Sequence, residues 1–308
     1  MLRTLFISLS SNQSLRSIAE RSSIGRRVSG RFVAGTQVED ALRATQTVNQ
    51  SGLSVSIDNL GENVTNIKEA RESAGLYHQL LDQISVRKLN ANVSLKLTHM
   101  GLDVNEKLAY DLVTKLVAKA AAMQPRNFVR VDMEGSPYTQ RTLDFVHGLH
   151  RIPGNQGCVG AVIQAYMRRS ESDVEKLLAE GIRIRLCKGA YKEPSEIAFQ
   201  EKSEVDASYV RLMKILMKSG VYHGLATHDE NIINQARDFA TQENIPRDAF
   251  EFQMLYGIRR DLQRSLVREG WRMRVYIPFG TEWYPYLMRR LAERPANAIF
   301  IAKNLLRQ

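Results

Sequence analysis

Short apolar, β-branched runs recur along this chain, and longer stretches with helical spacing separate them. The runs are Leu53–Ile57, Asn92–Leu97, Phe128–Met133, Ala161–Ala165, Ile182–Cys187, His223–Thr227, Ala249–Gln253 and Met273–Ile277. Between them, apolar residues recur at helical spacings of three and four, as in Leu108, Leu112 and Leu116, or Val205, Tyr209, Leu212, Met213 and Leu216, which is the signature of one buried helix face. Alternating strands and helices call for parallel strands with crossover helices. Eight such units predict an α/β fold of the closed (βα)8, TIM-like barrel class more readily than an open doubly wound sheet. The stretch before the first strand reads as polar and helical. The expected organisation is therefore an N-terminal helical extension over 1–50 and a barrel over 51–308.

Polar residues gather at one end of these strands. Lys96 closes the second, Asp132 and Glu134 the third, Gln164 the fourth, and Arg185 and Lys188 the fifth. Thr227 and His228 close the sixth, Gln253 lies in the seventh, and Tyr276 ends the eighth. In a barrel these ends converge on the face where sites of this fold are built. Any single one fits a surface ion pair, but seven consecutive strands point to a shared pocket. After the eighth strand, Tyr286, Arg289, Arg290 and Glu293 share a helix face if Pro285 opens its first turn. Two guanidinium forks suit a compact carboxylate; a solvated basic face fits the same spacing.

Composition narrows the chemistry. The chain has 308 residues, 44% hydrophobic and 25% charged, enough for a full core. Its two cysteines, Cys158 and Cys187, have neither metal-ligand spacing nor a pairing framework and suit a reducing cytoplasm. No apolar run approaches the roughly 20 residues that span a bilayer. The opening Met1–Leu9 has the look of a short signal sequence without a cleavage site, and is read as a helix. The net charge of +10 admits acidic small molecules, anionic membrane surfaces or nucleic acid. The basic residues are scattered and lack the aromatic interleaving of a single-strand platform; no nucleic-acid partner is expected. There is no GxGxxG after a strand, no Walker loop and no HExxH, and His228 has no second histidine at ligand spacing, so no metal is expected. Lys96 and Lys188 leave a rival open, a Schiff-base lysine of the aldolase type. A basic nucleic-acid-binding protein is the second alternative.

Seven segments, read in order, resemble the proline dehydrogenase family of the short, single-function bacterial kind. They are VSLKLTHMGLD (93–103), VRVDME (129–134), VIQAYMRRS (162–170), RIRLCKGAYKEP (183–194), ATHD (226–229), FEFQMLYGIRRDLQ (250–263) and RVYIPFGTEWYPYLMRRLAERPAN (274–297). The last two are the most specific, and the first ninety residues match least. The resemblance implies a distorted (βα)8 barrel that binds FAD noncovalently and oxidises L-proline to 1-pyrroline-5-carboxylate. Electrons then pass to a quinone, and a separate 1-pyrroline-5-carboxylate dehydrogenase completes the route to glutamate. It also implies a cytoplasmic protein with a peripheral contact on the inner membrane face.

By the same resemblance, Arg289, Arg290 and Lys96 grip the proline carboxylate. Tyr276, Tyr286 and Leu255 wall the ring, with Tyr191 nearby, and Tyr286 favours proline over hydroxyproline. Asp132 and Arg185 are the implied catalytic pair, Asp132 holding the lysine in place. Met133, Gln164, Arg185, Lys188, Gly189, Ala190, Lys202, Thr227, His228 and Glu293 match cofactor positions. Departures are Cys187 where valine is frequent, Asp229 where asparagine is usual, and His99–Met100 in place of glutamine–leucine.

Overall fold

In the computed structural model, each expected run forms a strand, and no strand end differs from its expected position by more than two residues. The structure describes residues 29–293 together with residues 19, 22 and 25; the side chains of 289 and 291–293 lie outside the described residues, as does the helix expected over Met1–Leu9. The order is α1 (Val38–Asn49), β1 (Ser54–Asn59), α2 (Ile67–Val86), β2 (Ala91–Leu95), α3 (Glu106–Ala122), β3 (Val129–Val131), α4 (Ser136–Arg151), β4 (Val159–Gln164) and α5 (Ser170–Ala179). It continues with β5 (Arg183–Cys187), α6 (Lys202–Lys218), β6 (His223–Ala226), α7 (Glu230–Gln242), β7 (Phe250–Leu255), α8 (Arg260–Arg268), β8 (Arg272–Phe279) and α9 (Trp283–Glu293). All neighbouring strands pair in parallel, and β8 closes on β1 with Tyr276 level with Ser56.

Local signals set the helix starts. Asn66 accepts from the Glu69 amide, Asn105 from Leu108 and Asp229 from Asn231, each filling one orphan donor of a first turn. The buried face of α3 is Ala109, Val113, Leu116, Val117 and Ala120. Leu108 and Leu112 sit half-buried at its edge, because the small alanines are what let the helix approach the strands.

The two faces of the strands differ in kind. Val55, Ile57, Val93, Leu95, Val129, Val131, Ile184, Leu186, Phe250, Phe252, Val275 and Ile277 form the apolar layer under the helices. The alternate positions are polar: Ser56 and Asp58, Ser94, Arg130 and Asp132, Arg183 and Arg185, Glu251 and Gln253, Arg274 and Tyr276. Hydrogen bonds between these residues across the barrel show that they share its interior. Barrels of this class ordinarily fill that space with branched apolar side chains. Here Glu251 accepts from Arg274 Nε at 2.6 Å, Tyr222 Oη at 2.9 Å and Gln253 Nε2 at 2.6 Å. Burial pushes its carboxyl up, but Arg274 and the hydrogen bonds outweigh that and hold it below the ordinary value.

Residues 29–35 pack beside the end of β8 and against α9. The Ala34 amide donates to Pro278, the Gly280 amide to Gly35, and Phe32 and Val33 pack with Trp283, Tyr286 and Leu287 of α9. Arg87 at the end of α2 forms a two-point ion pair with Glu39 of α1.

Candidate functional site

The C-terminal ends of the strands carry one buried polar network. Asp132 Oδ1 accepts from Arg185 Nη1 at 2.6 Å and Ser94 Oγ at 2.7 Å, and Oδ2 accepts from Tyr276 Oη at 2.9 Å. Arg185 also donates from Nε to Gln253 Oε1 at 2.6 Å and from Nη2 to Ser56 Oγ at 3.2 Å, and lies 5.2 Å from the Tyr276 ring centre. Six strands thus fix one guanidinium. Burial, with Asp132 and Asp58 beside it, pushes the Tyr276 hydroxyl well above its ordinary value, so it stays a neutral donor.

Lys96 is held differently from expectation. Its hydrogen-bonded carboxylate is Asp58, at 3.3 Å, and not Asp132, whose two oxygens already serve Arg185, Ser94 and Tyr276. Asp58 Oδ1 accepts from Tyr77 Oη at 3.3 Å. Burial lowers the tendency of Lys96 to carry a proton, but Asp58 and then Asp132 overcome it and raise its pKa above the ordinary value. Burial pushes the Asp58 carboxyl up while Lys96 pulls against it. Asp58 escaped the sequence reading because the first strand was expected to end at Ile57. Applied one residue later, the strand-end rule would have found it.

Further round the mouth, Gln164 Nε2 donates to the Glu134 carbonyl at 2.9 Å, and the Glu134 carboxylate accepts from Thr98 N and Oγ1. Met133 is buried beside them. Lys188 bridges Asp206 and Asp229, and Lys202 pairs with the same two carboxylates. Burial would raise both aspartates, but Lys188 and Lys202 hold them below the ordinary value. Asp229, where the family resemblance leads one to expect asparagine, thus caps α7 with one oxygen and binds Lys188 with the other. Thr227 Oγ1 accepts from the Asp229 amide, and His228 Nε2 accepts from the Leu255 amide at 3.0 Å, which leaves the histidine proton on Nδ1. Gly189 has φ +107°, and a Cβ there would lie 2.2 Å from the Tyr166 ring. The strand carrying Cys187 therefore leads into a glycine whose backbone packs against the Tyr166 ring, where no side chain fits.

On α9, Tyr286 is buried and Arg290 lies with its guanidinium carbon 5.3 Å from the Tyr286 ring centre. Arg289 and Glu293 belong to the same helix, with their side chains outside the described residues. Tyr191 is exposed at the loop after β5, beside Gly135. Among the described residues there is no group of three or more His, Cys, Asp or Glu placed to hold a metal, and no helix is long and apolar enough to cross a membrane. Cys158 and Cys187 are free thiols.

The rim has the chemistry for a planar cofactor with a diphosphate. Neutral and cationic donors stand on three successive strand ends, β4 to β6, and the loop at Gly189 is kept flat where any side chain would collide. Gln164, Arg185, Lys188, Gly189, Ala190, Lys202, Thr227 and His228 are the residues on that surface that could hold such a cofactor.

A sequence model of the family described as proline dehydrogenase matches residues 41–303. Proline dehydrogenases 1 and 2 of Bacillus subtilis (strain 168) are 40% and 39% identical to this chain over 309 and 306 residues. These alignments cover 100% and 99% of both chains. Proline dehydrogenase of Deinococcus radiodurans is 38% identical over 282 residues, 90% of this chain and 89% of its own. Among solved structures, proline utilization A from Bdellovibrio bacteriovorus, inactivated by N-propargylglycine, superposes with a TM-score of 0.81 at 26% identity. That match covers 87% of this chain and 32% of the other, so this chain spans about a third of that larger protein. Proline utilization A of Bradyrhizobium japonicum shares the fold, with a TM-score of 0.75 at 24% identity over 90% of this chain and 32% of its own.

Proposed function

Because this chain belongs to the proline dehydrogenase family, we propose that it oxidises L-proline to 1-pyrroline-5-carboxylate with a noncovalent FAD and passes the electrons to a quinone. The observation that carries the reading is the buried Asp132–Arg185–Tyr276 network, with Lys96 beside it, at the C-terminal ends of the strands.

The reaction removes a hydride from the ring carbon beside nitrogen and a proton from nitrogen. When bound, FAD would supply the two-electron acceptor, held by Gln164, Arg185 and the Lys188–Ala190 loop. The protein supplies orientation and field. Arg289, Arg290 and Lys96 hold the carboxylate, and Tyr276, Tyr286, Leu255 and Tyr191 confine the ring; fixing both ends makes the transfer effectively unimolecular. Arg185, locked by four side chains, places a preorganised positive charge where negative charge develops, and Asp132 keeps it there. The amine reacts as its free base, so turnover should rise with pH through the amine's ionisation. The product's oxidation falls to a separate dehydrogenase. The +10 charge favours a peripheral contact with an anionic membrane carrying the quinone; flotation with anionic vesicles tests it, and no association would remove it.

The aldolase alternative requires a neutral lysine, whereas Asp58 keeps Lys96 protonated and Lys188 is shared by two aspartates. The decisive experiment is spectroscopic. Purified protein should be yellow, release flavin on denaturation and bleach with proline. Colourless protein that FAD cannot restore, or a borohydride-trapped adduct on Lys96 or Lys188, overturns the reading. Nucleic-acid binding would show instead as salt-dependent retention of DNA or RNA.

A further inference from the structure

We infer that Asp58 is the positioning residue of the carboxylate subsite, holding the Lys96 ammonium charged and aimed at the barrel mouth through an ion pair that Tyr77 in turn fixes. The inference rests on the reading of this pocket as a proline site, and it assigns a role to a residue that the strand-end pattern did not reach.

The geometry is a three-link chain. The Asn59 amide donates to Tyr77 Oη at 3.1 Å, which occupies a lone pair of that hydroxyl. The phenol has one proton, and it goes to Asp58 Oδ1 at 3.3 Å. The other carboxylate oxygen, Oδ2, then faces Lys96 Nζ at 3.3 Å. Asp58 is 1% exposed and Tyr77 fully buried, so neither has water as a substitute partner. Both lie on elements next to Lys96: Asp58 stands level with Ser94 across the β1–β2 ladder, and Tyr77 is on α2, which joins those strands.

An ammonium has three N–H donors. Among the described residues Asp58 is the one hydrogen-bond partner of Lys96, so two donors remain to meet an anionic group. The charges facing Lys96 are Asp58 and Glu62 from the first strand and its loop and Asp132 from β3, with Tyr191 from the loop after β5. His99, on the lysine's own loop, is held neutral by burial and by Lys96. Glu134 is turned toward Thr98, while Tyr276 donates to Asp132 and also lies within hydrogen-bonding reach of Asp58, which it helps to keep charged. Asp58 is therefore the carboxylate whose removal leaves the lysine without a direct counter-ion. A lysine so buried then gives up its proton more readily, and a neutral amine no longer attracts a carboxylate.

The test is calorimetric titration of the flavin-loaded protein with tetrahydrofuran-2-carboxylate, which keeps the ring and carboxylate of proline but has no amine to oxidise. Titrations run from about pH 7 to about pH 10, across the ordinary lysine range. Asp58→Asn should weaken binding about tenfold or more at the lower end. The deficit should widen as pH rises, while the wild-type affinity holds over the same span. In a Lys96→Met background the same substitution should add less than about twofold. Wild-type affinity in Asp58→Asn at every pH overturns the inference, as does a loss that persists undiminished without Lys96, because the aspartate would then serve only the fold. If Asp58→Asn does not fold, Tyr77→Phe should weaken binding roughly two- to tenfold, and an unchanged affinity there also overturns it. A wild-type protein that binds neither this probe nor proline overturns the proline reading itself, and the first titration shows this before any variant is compared.

Discussion

Replacing Asp132 by asparagine removes one charge from the centre of the site and almost no volume. Asp132 and Arg185 are 9% and 6% exposed, so the pair is screened by protein rather than by water. The amide can keep its oxygen toward Arg185 and Ser94 and turn its NH2 toward Tyr276, whose hydroxyl then accepts instead of donating. The hydrogen-bond count survives; the counter-ion does not. Breaking a buried ion pair by removing one partner costs about 3–5 kcal/mol. Arg185 keeps Gln253 at 2.6 Å, Ser94 at 3.0 Å and Ser56 at 3.2 Å as neutral acceptors, so the expected loss is near the lower end, about 3 kcal/mol. For a chain of this size that corresponds to a melting temperature lower by about 4–5 °C. Urea and thermal unfolding, both with the same excess of flavin, measure it. A loss under about 1 kcal/mol, the range of exposed pairs, would refute the view that this network is closed to solvent.

Three further outcomes follow from the geometry. His223 and His99 are held neutral, lowered to about 3 and about 4, by burial first and then by Arg130 and Arg183 around His223 and Lys96 beside His99. A histidine with a folded value below its unfolded one, about 6.5, binds fewer protons when folded, so stability is full above that value and declines as pH drops toward the folded one. The urea midpoint should fall between about pH 6.5 and about pH 4, and a flat profile there contradicts the assignment. Gly189→Ala combines φ +107° with a 2.2 Å clash against Tyr166; it should lower flavin retained through gel filtration, and full retention would free that loop from the cofactor surface. Tyr286→Leu should narrow the preference for proline over hydroxyproline in steady-state rates, and an unchanged ratio moves the discrimination elsewhere.

The barrel was legible because short apolar runs recur between stretches of helical spacing. Parallel strands covered on both faces ordinarily read as unbroken apolar runs, yet segments such as 129–133 and 183–187 alternate with period two. The apolar set marks the layer under the helices, and the polar set Arg130 and Asp132, Arg183 and Arg185 marks an interior that is itself charged. Their place at the C-terminal strand ends made Asp132, Arg185, Gln253 and Tyr276 visible as candidates. Their partners were not, because pairing depends on contacts far apart in sequence: Lys96 meets Asp58 across 38 residues, and Arg185 meets Ser56 across 129. Proximity of type suggested Asp132 for Lys96; only the register of β1 against β2 brings Asp58 to it. The pairing of Lys188 and Lys202 with Asp206 and Asp229 was invisible for the same reason, its members coming from the loop after β5, the first turns of α6 and the N-cap of α7.

Charge balance decides which residues select an anion. Within the barrel, Asp58 offsets Lys96 and Asp132 offsets Arg185; on the rim, Asp206 and Asp229 offset Lys188 and Lys202. On the proposed reading, a substrate carboxylate meets the arginines of α9 together with Lys96. There Arg290 lies over the Tyr286 ring, a stacking that a planar guanidinium supports and an ammonium does not. Arg290→Lys keeps the charge but loses the stack and the two-point fork, so it separates geometry from charge. With one charge-assisted hydrogen bond lost, the Michaelis constant for proline should rise about ten- to hundredfold. Holding the carboxylate is common to ground and transition states, so kcat should change much less. A Michaelis constant within about twofold of wild type would mean that charge alone recruits the substrate, and that Arg290 serves α9 rather than the carboxylate.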